Sequence, residues 1–358
     1  MSDTEGPGGL LEVSPPPGGP WAWPMRGQLV EMVLHSRLLQ GNPLGDPADR
    51  PLWVYLPPGY ADQPERRLPV IYLLQGLSGQ LDMWKSRSGF RRTAIELFDE
   101  LFSDPATPPC LLVFADCWTS LGGSQYLDSP GTGRYHSYLC DEVVPAVDAN
   151  FRTLAHRDHR AVAGKSSGGY GALVSALLRP DLFGALASHA GDALFEYCYL
   201  PEFPEAVRQL RDHYQSSYAN FWADFRTRPA NSQPQDMVLV NLWCMAACYS
   251  AAPDGTPELP FDVVTGIIRP AVWQRWLNRD PVRLIAARPE AARSLRAVYL
   301  EGGRRDEWHL EVSAAAVAAT MQGHGVANVR LELFDGGHMA IEYRYPTSTR
   351  YLAEAISP

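Results

Sequence analysis

The stretch Gly164-Lys165-Ser166-Ser167-Gly168-Gly169-Tyr170-Gly171 sets two serines among four glycines. RAVAGKS (160–166), read as a strand, leads into it, and GGYGALVSALLRP (168–180), helical in spacing and stopped by proline, leads out. A strand passing at once into a helix is the setting in which G-x-S-x-G, here Gly164, Ser166 and Gly168, makes a sharp turn. Glycines two before and two after the serine let the backbone fold back on itself. The Ser166 hydroxyl is then pushed out above a sheet, at the amino end of the helix. Ser167 is expected to contribute its backbone N–H to an oxyanion hole, not its hydroxyl. A phosphate loop, G-x-x-x-x-G-K-[ST], is excluded because His159 stands where its first glycine belongs. A plain tight turn is the competing reading of so short a motif.

Outward from this turn the chain alternates. VIYLLQG (70–76) and CLLVFAD (110–116) are unbroken apolar runs, as strands covered on both faces require. QLVEMVLHS (28–36) and LWVYLP (52–57) read as an antiparallel start around a turn-rich connection. RRTAIELFDELF (91–102), SYLCDEVVPAVDANF (137–151) and EVSAAAVAATMQ (311–322) have helical spacing, with Pro145 a candidate kink in the second. LFGALASHA (182–190), LRAVYLEGG (295–303) and NVRLELFDGG (328–337) return as strands. The pattern predicts an α/β fold: a mainly parallel central sheet, helices on both faces, and an inserted helical cap at about 192–280 where the alternation breaks. Residues 25–358 are expected to form that domain. Residues 1–24, rich in Pro and Gly, are expected to be a flexible segment without the features of a signal peptide.

Composition narrows the partners. The net charge of −9, without a basic run, argues against nucleic acid and against an anionic membrane surface. The longest apolar candidate, MVLVNLWCMAAC (237–248), is too short to span a bilayer and reads as a buried helix. Six cysteines form no CxxC pair, and Cys244 and Cys248 lack a histidine to complete a zinc set. Buried free thiols follow, and with them a reducing, cytoplasmic setting. HRDH (156–159) lies in a charged turn and is read as solvent-facing, so no metal is expected.

A serine nucleophile needs a base, and the base an orienting acid. His338, in FDGGHMAIEYRY, follows the last strand, where Gly336 and Gly337 let the loop carry its ring toward Ser166. His309 and His324 are rivals that read more simply as surface residues. The acid is expected after the preceding strand, in LRAVYLEGGRRDEWHL. Asp306, in the loop beyond the strand, is the choice; Glu301 and Glu307 are held as alternatives. A second oxyanion N–H is expected from Leu77, after Gly76; a simple strand-ending turn is the other reading.

Over most of residues 28–345 these segments resemble the Putative esterase family of α/β-hydrolases, which includes esterase D, enterochelin esterases and mycolyltransferases. WVYLPPGY (53–60) is similar to its early strand and turn, PVIYLLQGLSGQLDMW (69–84) to its oxyanion segment, and GRYHSYLCDEVVPAVDANFRT (133–153) to the helix before its nucleophile strand. GKSSGGYGAL resembles the elbow, and EGGRRDEW and DGGHMAIEYR the acid and histidine segments. Gln75 and Lys165 stand where that family often has histidine. The resemblance favours Asp306 over its neighbours and implies ester hydrolysis through an acyl-enzyme, with no cofactor. The expected partner is a small-molecule ester. Acyl transfer on the same residues and a non-catalytic binding protein on the same fold are the alternatives.

The insert holds Tyr197, Tyr199, Phe203, Tyr214, Tyr218, Phe221, Trp222, Phe225, Trp243, Trp273 and Trp276. They suit an apolar or sugar-bearing substrate group, or the insert's own core, or a surface for a homo-oligomer. Asp116 and Trp118 are candidates for the pocket border.

Overall fold

The computed structural model describes residues 10–13, 24–87, 91–230 and 233–358. Its strands are β1 (Leu10–Val13), β2 (Gln28–His35), β3 (Asp49–Leu56), β4 (Val70–Leu74), β5 (Leu111–Ala115), β6 (Asp128–Ser129), β7 (Gly133–Arg134), β8 (Arg160–Lys165), β9 (Ala185–His189), β10 (Ala297–Gly303) and β11 (Val329–Phe334). β6 and β7 pair as a small separate hairpin. The others form one sheet in the order β1-β2-β3-β5-β4-β8-β9-β10-β11. β1, β2, β3 and β5 pair antiparallel, and every pairing from β5 through β4 to β11 is parallel. This is the α/β-hydrolase architecture. Of the segment expected to be flexible, residues 10–13 pair with β2, while 1–9 and 14–23 lie outside the described residues.

Side-chain alternation explains the two covered faces. Val70, Tyr72 and Leu74 of β4 join one buried cluster with Leu173 and Val317 from helices Ser167–Leu178 and Leu310–Gly323. Ile71 and Leu73 point the other way, into a cluster with Phe98 of helix Ala94–Ser103 and Leu352 of helix Tyr345–Ile356. Helix Ala94–Ser103 starts later than its periodicity suggests, because Thr93 and Glu96 form a capping box there. Around Pro145 the helix continues: Tyr138–Val143 takes π geometry and Val144–Asn150 returns to α. The wider turn leaves room for the proline ring, which brings no N–H to the helix ladder.

Between β9 and β10 lie the inserted helices, from Phe195–Cys198 to Pro289–Arg293. Phe203, Phe221, Leu239 and Trp276 bury one another in a separate core there. Ile285 and Ala292, after the predicted end of the insert, join the main core instead. Among the described residues no helix is long and apolar enough to cross a membrane, and all six cysteines are buried free thiols.

The chain leaves β4 toward β5 on one side and arrives at β8 on the other. Loops at the carboxyl ends of β4 and β8 therefore part, and a crevice opens between them. The elbow closes tightly beneath it. A Cβ added to Gly168 would lie 2.2 Å from the Leu74 carbonyl oxygen, and one on Gly164 would lie 2.4 Å from Gly168 backbone. Both contacts are with backbone, which cannot swing aside. Gly168→Ala is therefore expected to cost about 3 kcal/mol or more, read as a lowered urea midpoint with unchanged slope.

Candidate active site

Ser166 joins β8 to helix Ser167–Leu178 with φ 58° and ψ −125°, a conformation that costs a non-glycine residue energy. Two backbone bonds hold it there. The Ser166 N–H donates to the His189 carbonyl at 2.9 Å, and the Tyr170 N–H donates to the Ser166 carbonyl at 2.9 Å. The turn presents Ser166 to a cavity of about 280 Å³ at the carboxyl ends of the strands. Leu77, Ser167 and His338 line the same cavity.

His338 follows β11 and is buried. Its Nδ1 lies 2.9 Å from Asp306 Oδ2. Asp306 Oδ1 accepts the Trp308 backbone N–H at 2.9 Å, so both carboxylate oxygens are engaged. The Trp308 ring stands edge-on to the His338 ring, with centroids 4.9 Å apart. The Glu307 carboxylate accepts the His338 backbone N–H at 2.7 Å and so fixes the loop that carries the ring. His309 and His324 cap the two ends of helix Leu310–Gly323, and neither lines the cavity.

Glu301 is committed elsewhere. Its carboxylate meets His189 Nδ1 at 2.6 Å, Tyr299 Oη at 2.9 Å and Arg344 Nε at 2.6 Å, and His189 Nε2 lies 2.8 Å from Ser348 Oγ. Ser348, His189 and Glu301 thus repeat the connectivity of a serine–histidine–acid set. Their exposures of 0%, 1% and 0% leave no room for a substrate. Burial pushes the Glu301 carboxyl up, but the bonds to His189 and Arg344 outweigh it and hold the group below its ordinary value. Such a carboxyl adds stability that is present above its unfolded-state pKa and lost as pH falls through its folded value. Glu301→Gln is expected to cost about 3–5 kcal/mol at neutral pH and to flatten the acid limb of the stability curve, measured by urea titration across pH.

Two backbone N–H groups border the cavity beside Ser166. Neither Leu77 N nor Ser167 N donates to an acceptor among the described residues. The loop carrying Leu77 runs close to the elbow: a Cβ on Gly76 would sit 3.4 Å from Ser166 Cβ.

The expectation that Asp116 and Trp118 border the cavity is corrected, whereas most of the insert's aromatics are buried as the core reading expects. Asp116 is paired with buried Arg50 and accepts from Gln75 Nε2 at 3.1 Å, and neither Asp116, Gln75 nor Trp118 lines the cavity. A carboxylate beside a buried guanidinium is drawn inward, away from substrate. Of the insert's aromatics only Tyr199 lines the cavity; Phe203, Tyr214, Tyr218, Phe221, Trp222 and Trp276 are buried in the insert's own core, while Tyr197 is exposed. Lys165 does line the cavity, 3.6 Å from Glu342. Sequence reasoning missed Asp192, Glu202 and Trp308. Glu202 accepts the Trp308 indole N–H at 2.9 Å and the Asn241 amide at 2.7 Å, and burial pushes its carboxyl up to about 7. For Asp192 a signal existed, since it directly follows a strand end; for Glu202, two helices away, none did.

Residues 47–340 match the family described as Putative esterase. An endo-1,4-beta-xylanase/feruloyl esterase of Xylanibacter ruminicola is 30% identical over 165 residues, covering 44% of this chain and 21% of that protein. An esterase of Mycobacterium tuberculosis is 34% identical over 146 residues, 39% of this chain and 28% of that protein. The chain spans between a fifth and a third of the length of the curated relatives it matches. Among solved structures, a ferulic acid esterase superposes with a TM-score of 0.60 at 18% identity, covering 93% of this chain and 100% of that one. An S-formylglutathione hydrolase from Agrobacterium tumefaciens gives 0.56 at 16% identity, with 94% and 98% covered. At these identities the superpositions speak to the fold.

Proposed function

The chain belongs to the Putative esterase family, and on that premise we propose that it is a serine carboxylic ester hydrolase working through an acyl-enzyme. One observation carries the reading. Ser166, on a strained elbow, shares a cavity with His338, and the far nitrogen of that imidazole is held by buried Asp306.

In this reading His338 Nε2 takes the Ser166 proton as Oγ attacks the ester carbonyl. The Nδ1–H donates to Asp306, which fixes the tautomer and steadies the positive charge that develops on the ring. The carbonyl oxygen becomes an oxyanion in reach of the Leu77 and Ser167 N–H groups, which donate to no other acceptor among the described residues. His338 then protonates the leaving alcohol. Water, losing its proton to the same nitrogen, attacks the acyl-enzyme and releases the acid. No step calls for a cofactor. The segment from about 192 to 280 acts as a cap, since Tyr199, Met237 and Asn241 supply cavity wall.

Two similar proteins carry a ferulic or feruloyl ester in their names, so feruloyl esters head the substrates to try. The direct test is labelling with a fluorophosphonate and mapping of the adduct by mass spectrometry. An adduct on Ser166 is expected. A folded protein that stays unlabelled at Ser166, yet hydrolyses esters, would overturn the assignment.

A further inference from the structure

One carboxylate in the cavity wall has no part in the hydrolysis proposed above. Asp192 lies just beyond β9, at the carboxyl end of the sheet, and faces the same cavity as Ser166 and His338. It is 7% exposed. Both hydrogen bonds it accepts go to Oδ2, from the Tyr199 hydroxyl at 2.8 Å and the Gln125 amide at 3.0 Å. Gln125 also donates to the Tyr249 hydroxyl at 2.7 Å, so a small polar network fixes that edge of the carboxylate. The other oxygen, Oδ1, accepts from no donor among the described residues and is not sealed inside the protein. It opens on the cavity.

Two other polar side chains at the wall are already engaged. Asn241 is bonded to Glu202, and Lys165 faces Glu342. Asp192 itself forms no ion pair among the described residues; His338 and the second carboxylate Asp306 act on it only through space. Burial pushes its carboxyl above the ordinary range. A ligand without a donor would bury that oxygen unpaired, which is costly, whereas a ligand that brings a donor avoids the cost. Sites of this kind discriminate strongly against an analogue lacking the donor.

We propose that Asp192 is a specificity-determining residue, whose free Oδ1 accepts a hydrogen bond from a hydroxyl or ammonium group carried by the ester. The proposal rests on the esterase reading only in taking the ligand to be an ester. A hydroxyl and an ammonium share this chemistry, and the test separates them.

Binding is measured by calorimetry on Ser166→Ala protein, so that turnover is not needed. The probes are short alkyl and aryl esters in matched sets, each ending in a hydroxyl, an ammonium, a methyl ether or a methyl group. Within one set, the hydroxyl or the ammonium member is expected to bind at least about tenfold tighter than the methyl member. Which of the two does so identifies the donor. Adding Asp192→Asn reverses the pattern. Tyr199 and Gln125 keep the amide oxygen, the amide NH₂ turns to the cavity, and the methyl ether gains over the hydroxyl. Equal binding of donor-bearing and methyl members in every set, no binding of any member, or a preference unchanged by Asp192→Asn would each overturn the proposal. Lack of turnover in the native chain, with this selectivity intact, would count against the esterase reading alone.

Discussion

Ser166→Ala is expected to lower kcat for ester hydrolysis by about 10⁴-fold or more while the protein stays folded. The size of the loss follows from the mechanism: without Oγ there is no acyl-enzyme, and only the oxyanion N–H groups and binding are left to help water attack. The intact fold follows from the contacts. The elbow is held by the Ser166 backbone N–H and carbonyl, both of which alanine keeps. Among the described residues no hydrogen bond of the serine hydroxyl supports the scaffold, so stability should change by no more than about 0.5 kcal/mol. The measurement is steady-state hydrolysis of an aryl ester beside a urea titration of the same preparation. Activity within tenfold of the native protein would mean that another group attacks the ester.

The parts legible in the sequence were those fixed by local pattern. Unbroken apolar runs marked β4 and β5, because strands covered on both faces have no polar side to show. Gly164 and Gly168 marked the elbow, because their crowding by Leu74 backbone forbids any side chain. Helix Tyr345–Ile356 went unread: its buried residues Tyr345, Ser348, Thr349, Leu352, Ala353 and Ile356 keep helical spacing, but the polar Ser348 and Thr349 break the apolar pattern. The site itself was harder. Glu301, Asp306 and Glu307 sit within seven residues of one another, yet each meets a different partner: His189, the His338 ring and the His338 backbone. Which carboxylate reaches which imidazole depends on the direction each loop takes past the sheet edge, and spacing along the chain does not encode that. The same holds for His189. In sequence it is a polar residue at a strand end; in the fold it belongs to a sealed Ser348–His189–Glu301 set that resembles the proposed Ser166–His338–Asp306 set in residue types and is closed to substrate.

That resemblance makes Asp306→Asn the sharper test of the acid. A loss of about 10⁴-fold in kcat is expected with little change in fold. Asp306 holds two donors at once, the Trp308 N–H on Oδ1 and the His338 Nδ1–H on Oδ2, each at 2.9 Å. An asparagine oxygen can accept only on one side. If it keeps the Trp308 N–H, the amide NH₂ faces His338 and compels Nδ1 to accept. The ring proton then moves to Nε2, the nitrogen that in the proposed mechanism takes the proton of Ser166, and general-base catalysis is expected to stop although every atom sits where it did. Glu301→Gln gives the contrast. It should weaken the fold, as argued from its buried partners, and leave kcat per folded molecule within a few-fold of native. The two variants are compared by kcat normalised to fluorophosphonate-titrated sites and by urea midpoints. If Glu301→Gln lost the activity and Asp306→Asn kept it, the base would have to be His189, and the cavity that joins Ser166 to His338 would no longer be where the chemistry happens.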